Sequence, residues 1–246
     1  MIIQACINGA RPQEFHAHLP LTAEAMLRDV QACLAAGASE IHLHPRSAPD
    51  RESLAAVSAT TALLRKACPG TLFGVSTGAW IENDVAATRA LIAAWTDVPD
   101  YASVNLSEPD AFAVMDLLLE KGVGIEAGLA SAADAKLLLA YPQAHKILRF
   151  LIEIGEQNLE EAIQVCRATE AVLDAGPLRK SILLHGFDAT VWPFVDEACA
   201  RGFSTRVGLE DGKLLPDGTE ATHNAALVAE AVAIYRHKDR KQVELG

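Results

Sequence analysis

The sequence predicts an α/β fold, a closed (β/α)8 TIM barrel formed as one domain over residues 1–246. Three observations lead there. Short apolar runs alternate with helical patterns of about 10–15 residues, as in parallel βαβ units. The alternation recurs eight times, and 246 residues over eight units is about 31 per unit, the length of one strand and its helix. Neither GxGxxG after the first strand nor GxxxxGK[ST] occurs, so an open nucleotide-binding sheet lacks its fingerprint.

Each unit has its own signals. The first strand is Ile2 to Ile7. Its helix runs from Thr22, a suitable N-cap, to Ala36 and closes at Gly37. Ser39 to His44 is the second strand, with a helix from Glu52 to Ala67 stopped by Pro69-Gly70. Thr71 to Val75 is the third, followed by the loop Ser76-Thr77-Gly78 and a helix from Asn83 to Ala94. Tyr101 to Asn105 is the fourth, with a helix from Asp110 to Lys121. Val123 to Glu126 and Lys146 to Ile152 are the next strands, with helices from Ser131 to Ala140 and Leu159 to Leu173. Ser181 to His185 precedes a helix from Thr190 to Ala200. Phe203 to Val207 precedes the last, Ala221 to Tyr235, and the charged tail Arg236 to Lys241 reads as a frayed, solvated helix end.

Composition narrows the function. Lys and Arg total 21 against 32 Asp and Glu, a net charge of −11 that repels nucleic acid and anionic lipid. The charge and the lack of a basic stripe disfavour a nucleic-acid binder. No run of 18 apolar residues is present, and the N-terminus reads as a strand rather than a signal peptide. The five cysteines, at 6, 33, 68, 166 and 199, form no CxxC pair. A scattered set of that kind fits a reduced cytoplasm, and a symmetric homo-oligomer is the base expectation.

In a barrel the chemistry gathers where the strands end. His42 and His44 are two residues apart on a strand and therefore face the same way. Two neutral imidazoles and one carboxylate make a divalent-metal site with an open position. Glu210, just past the eighth strand, is the first choice for the carboxylate, and Glu126 is the reserve. Two satisfied strand-end histidines without metal are the plain alternative. Arg206 needs an anion, either Asp211 or a substrate carboxylate held bidentately. Asp211 beside Glu210 is placed to act as a general base. Ser76 and Thr77 offer hydroxyls. His16 and His18, a second pair in the first long loop, read as surface or lid. His185 reads equally as a substrate contact or a core residue, and Trp80, Trp95 and Trp192 read as packing.

Taken in order, Ile7-Asn8-Gly9-Ala10, His42-Leu43-His44-Pro45-Arg46, Ser76-Thr77-Gly78, Ala102-Ser103-Val104-Asn105-Leu106, Gly124-Ile125-Glu126 and Arg206-Val207-Gly208-Leu209-Glu210-Asp211 resemble the β-keto acid cleavage enzyme family over nearly the whole chain. The founding activity of that family is 3-keto-5-aminohexanoate cleavage. The resemblance implies a Zn-dependent barrel that condenses a β-keto acid with acetyl-CoA, giving acetoacetate and an acyl-CoA. It implies His42, His44 and Glu210 as metal ligands, Asp211 as base, and Arg206 as its orienting partner or a substrate contact. Glu14, Ser76, Thr77, Asn105 and Glu126 fall at the substrate pocket, with Glu126 also near the metal and counted with the catalytic set. The chain departs from the family pattern at Pro45, Ser47 and Gly212 and is shorter than typical members. Short loops keep two other readings open: a metal-dependent lyase or aldolase that needs no CoA, and a non-catalytic barrel that binds a carboxylated metabolite.

Overall fold

Eight parallel strands join in a ring, each followed by a helix on the outside, in a computed structural model that describes residues 1–49 and 51–244. In chain order the elements are β1 (Ile3–Cys6), α1 (Ala23–Ala36), β2 (Glu40–Leu43), a hairpin of β3 (Arg46–Ala48) and β4 (Arg51–Glu52), α2 (Val57–Ala67), β5 (Phe73–Ser76), α3 (Val85–Ala93), β6 (Tyr101–Asn105) and α4 (Ala111–Glu120). They continue with β7 (Gly124–Leu129), α5 (Ala132–Ala140), β8 (Arg149–Ile154), α6 (Leu159–Ala175), β9 (Ile182–Gly186), α7 (Val191–Arg201), β10 (Ser204–Val207) and α8 (Asn224–Glu244). The ring order is β1-β10-β9-β8-β7-β6-β5-β2. It closes at β1, where Ala5 lies opposite Val207 on one side and Ile41 on the other.

The expected barrel is the observed one, and local chemistry explains its punctuation. Thr22 Oγ1 accepts from the Ala25 amide at 3.2 Å, and Gly37 ends the helix through its bond to Cys33 and Leu34 carbonyls. Asp84 and Ser131 cap α3 and α5 in the same manner. Three expectations are corrected. Glu52 belongs to a hairpin strand, because its register partner Arg46 pulls it back towards β2, and α2 starts only at Val57. The last helix begins at Asn224, not Ala221. It runs to Glu244 with no break at Tyr235, so the charged tail is helical; its side chains from residue 239 lie outside the described residues.

Alternation along each strand sorts the side chains. Ile41 and Leu43 face outward into the layer between strands and helices, which holds the hydrophobic core with Met26, Val30, Leu64 and Phe194. Glu40 and His42 face inward. The interior is therefore polar in its lower part: Gln4 Nε2 lies 2.9 Å from Glu40, 3.0 Å from Glu126 and 3.1 Å from the Tyr101 hydroxyl. Arg149 bonds both Glu40 and Glu126. The Tyr101 ring crosses directly over Gly74, where an added Cβ would sit 1.9 Å from it, so only glycine fits there. No helix among the described residues is long and apolar enough to cross a membrane.

Candidate metal centre and active site

Above this polar layer, the strand ends surround a cavity of about 350 Å³ lined by Arg11, His42, His44, Ser76, Trp80, Ser103, Asn105, Glu153, Phe187, Arg206 and Glu210 among others. β2 delivers His42, and the residue just past its end is His44. β10 delivers Arg206, and the turn after it Glu210 and Asp211. The His42 and His44 Nε2 atoms lie 3.2 Å apart, and Glu210 Oε1 is 3.7 Å from the first and 3.5 Å from the second. Such separations match the corners of a tetrahedron around an ion with bonds of about 2.0–2.2 Å. Glu210 Oε2 and His42 Nδ1 have no hydrogen-bond partner. Two nitrogens and a carboxylate converging in this way suit a divalent cation of borderline softness, and the observed donors fit that group.

The backbone at the site is shaped for this arrangement. Gly9 has a φ of +55°, and a Cβ on it would fall 2.4 Å from Glu210 Cγ, so the loop after β1 leaves room for the carboxylate only with glycine. Arg11 clamps the other side. Its Nε donates to the Glu210 carbonyl at 3.0 Å, and its Nη2 donates to Asp188 at 2.8 Å and to the Asp211 carbonyl at 3.2 Å.

Arg206 Nη2 donates to Glu210 Oε1 at 2.7 Å and to Asp211 Oδ1 at 2.6 Å, so one guanidinium orders both acids. Burial works against Glu210 ionising, but Arg206 and the two imidazoles outweigh it and hold that carboxyl well below the usual range. Asp211 goes the other way. Burial raises it, the neighbouring Glu210 charge adds to the rise, and the pull of Arg206 only partly opposes it. Two adjacent acids are thus driven apart in proton affinity, the pattern that separates a charged anchor from a proton acceptor. Asp211 Oδ2 has no partner; the side chain is fully buried, and Arg206 and Glu210 line the cavity where Asp211 itself does not. Burial takes His42 down to about 3, so its imidazole is neutral at pH 7. His44 moves up to about 9, because Glu210 and Glu52 outweigh its burial.

Several other sequence-based expectations resolve in the cavity. Ser76 and Asn105 line it. Asn105 donates to Glu108 at 3.0 Å, and Glu108 also accepts from the Ala79 amide at 3.0 Å, tying two loops together. Thr77 does not reach the cavity, because its hydroxyl donates to the Ser103 carbonyl at 2.8 Å and locks adjacent strand ends. Glu14 is exposed on a short turn at Gln13–Phe15 and does not line the cavity. Glu126 points down into the polar layer, drawn by Arg149 at 2.7 Å and by Gln4. It therefore does not line the cavity, and its place there is taken by Glu153 at the end of β8, pushed up to about 7 by burial.

His16 is buried, bonding the Ala221 carbonyl at 2.8 Å, whereas His18 is exposed. His185 is buried with its Nδ1 3.5 Å from Asp211. Trp95 and Trp192 pack by donating to the Leu54 and Leu214 carbonyls, but Trp80 lines the cavity, 48% exposed and stacked on His44. Arg11 and Glu52 carried no sequence motif that marked them.

A family model described as beta-keto acid cleavage enzyme matches residues 1–173 and 141–244. No curated protein matches the sequence. Among solved structures, a ternary complex of ObcA with a C4-CoA adduct and oxalate is similar at a TM-score of 0.71 and 19% identity, covering 90% of this chain and 64% of that one. Apo ObcA is similar at 0.71 and 18%, covering 90% and 62%, so the chain spans less than two thirds of the ObcA chains. A 3-dehydroquinate dehydratase from Geobacillus kaustophilus is similar at 0.65 and 13%, covering 97% and 91%. At these identities the likenesses establish the barrel.

Proposed function

The chain belongs to the β-keto acid cleavage enzyme family, and from that premise we propose that it cleaves a β-keto acid in a metal-dependent exchange with acetyl-CoA. The products are acetoacetate and the CoA thioester of the remaining acyl group. The observation that carries the reading is the convergence of His42, His44 and Glu210 beside the Arg206–Asp211 pair at the barrel mouth. The CoA adduct in the similar ObcA complex supports a thioester as second substrate.

His42, His44 and Glu210 would hold a divalent ion, with Zn the choice that the donor set favours. Bound there, the ion supplies Lewis-acid polarisation of a keto oxygen and offsets the substrate's negative charge. The remaining work falls to side chains. Arg206 holds the Glu210 and Asp211 carboxylates in place. Asp211, with one oxygen free and its proton affinity raised, takes the proton from the carbon between the keto and carboxylate groups. That carbon attacks the acetyl carbonyl, and CoA leaves as thiolate. The thiolate then attacks the keto carbon, the carbon–carbon bond breaks, and Asp211 returns the proton to the acetoacetate carbon. Ser76 and Asn105, which line the cavity, would offer the substrate a hydroxyl and an amide for hydrogen bonds. Trp80 and Phe187 line the cavity with aromatic surface.

The test is an assay of acetoacetate and acyl-CoA from a panel of β-keto acids, with and without acetyl-CoA, on native, metal-stripped and Zn-reloaded protein. Formation should require acetyl-CoA, vanish on stripping and return with Zn. Turnover without acetyl-CoA would mean a CoA-independent lyase. Keto-acid binding without turnover in any condition would mean a binding barrel.

A further inference from the structure

The carboxylate of Glu52 touches the back of the metal site. His44 Nδ1 lies 2.6 Å from Glu52 Oε2, with the two side chains only 4% and 12% exposed. The placement is built into the backbone. The β3–β4 hairpin pairs Arg46 with Glu52, and the Ser53 amide donates to the Pro45 carbonyl at 2.9 Å, which returns the chain alongside His44. Trp80 adds a further contact: its Nε1 donates to Glu52 Oε1 at 3.4 Å and its ring stacks on the His44 ring, tilted by 23°.

An imidazole that ligates a metal carries one N–H and gives its one lone pair to the ion. When Nδ1–H donates to a carboxylate, the lone pair sits on Nε2 and the ring cannot turn. In His44 it is Nε2 that faces His42 and Glu210. We propose that Glu52 is a positioning residue. It fixes the tautomer and ring orientation of His44 and thereby sets the affinity of the His42–His44–Glu210 triad for a divalent metal. This inference rests on the metal-site reading above.

Metal binding itself tests it, with no need of turnover. Metal-stripped wild-type, Glu52→Gln and Glu52→Ala proteins are titrated with Co²⁺ by visible absorption and with Zn²⁺ by chelator competition. Their metal-stripped thermal midpoints are measured alongside. Wild type should bind one ion with a defined Co²⁺ spectrum. Glu52→Ala should bind about 10–100-fold more weakly with a shifted spectrum. Glu52→Gln, whose amide oxygen still accepts from Nδ1–H, should fall between the two with an unchanged midpoint. Binding of Glu52→Ala within twofold of wild type, with the same spectrum, would overturn the proposal. So would a loss in Glu52→Ala that merely tracks a fallen midpoint while Glu52→Gln binds like wild type, since the hairpin alone would then explain it. Failure of wild type to bind either ion would instead remove the metal-site reading on which the inference depends.

Discussion

Replacing Arg149 by methionine removes the guanidinium that Glu40 and Glu126 share beneath the candidate site. These two carboxylates are 3% and 0% exposed, and Gln4 offers them only an amide. One of them must then take up a proton. Glu126 is the candidate, because burial already raises it against the pull of Arg149. An unfolded glutamate has a pKa of about 4.3, so holding one protonated at pH 7 costs about 3.7 kcal/mol. That agrees with the roughly 3–5 kcal/mol lost when one partner of a buried ion pair is deleted. The sign follows from the raised folded-state pKa: stability is lost as pH rises and regained as it falls. The deficit should therefore shrink to about 1 kcal/mol at pH 5. Urea unfolding followed by circular dichroism at both pH values measures it, and calorimetry at pH 7 should show a midpoint lower by roughly 7–15 °C. A deficit below about 1 kcal/mol at pH 7, or one that is the same at pH 5, would refute the shared-cation account.

Other outcomes follow from the cavity. Asp211→Asn should keep its metal by elemental analysis and lose about 10²–10⁴-fold in kcat, and retained turnover would reject Asp211 as the base. His44→Ala should lose bound metal first and activity with it; a metal content equal to wild type would remove His44 from the ligand set. Gly9→Ala forces both a left-handed φ on alanine and a Cβ into Glu210. It should cost more than about 1 kcal/mol of stability and weaken metal uptake, and a variant equal to wild type in both would show that the loop yields.

Periodicity made the eight strands readable because each is a short apolar run between helix signals. The same logic put His42 and His44 on one face, since spacing along a strand fixes direction. Arg206, Glu210 and Asp211 were readable as a cluster because they sit within one strand end and its turn. What sequence order could not show were the partners chosen across the ring. Glu126 has the position of a pocket residue, yet Arg149, from the neighbouring strand, draws it into the layer below. Glu52 reads as the start of a helix because the Pro, Ser and Asp of residues 45–53 mark a loop without showing that its two arms pair. Glu14 was assigned by resemblance alone, and a local turn leaves it in solvent.

The candidate ligands come from the two strands that flank β1: His42 and His44 from β2 and its end, Glu210 from the turn after β10. They therefore straddle the seam where the beginning and the end of the chain meet. Neither half of the polypeptide contains all three, and parting the seam on either side of β1 would separate the two histidines from Glu210. If the triad holds an ion as proposed, its occupancy reports ring closure. During biosynthesis the triad can assemble only after the last strand has docked, so nascent chains that stop short of it would carry the two histidines but no complete binding site.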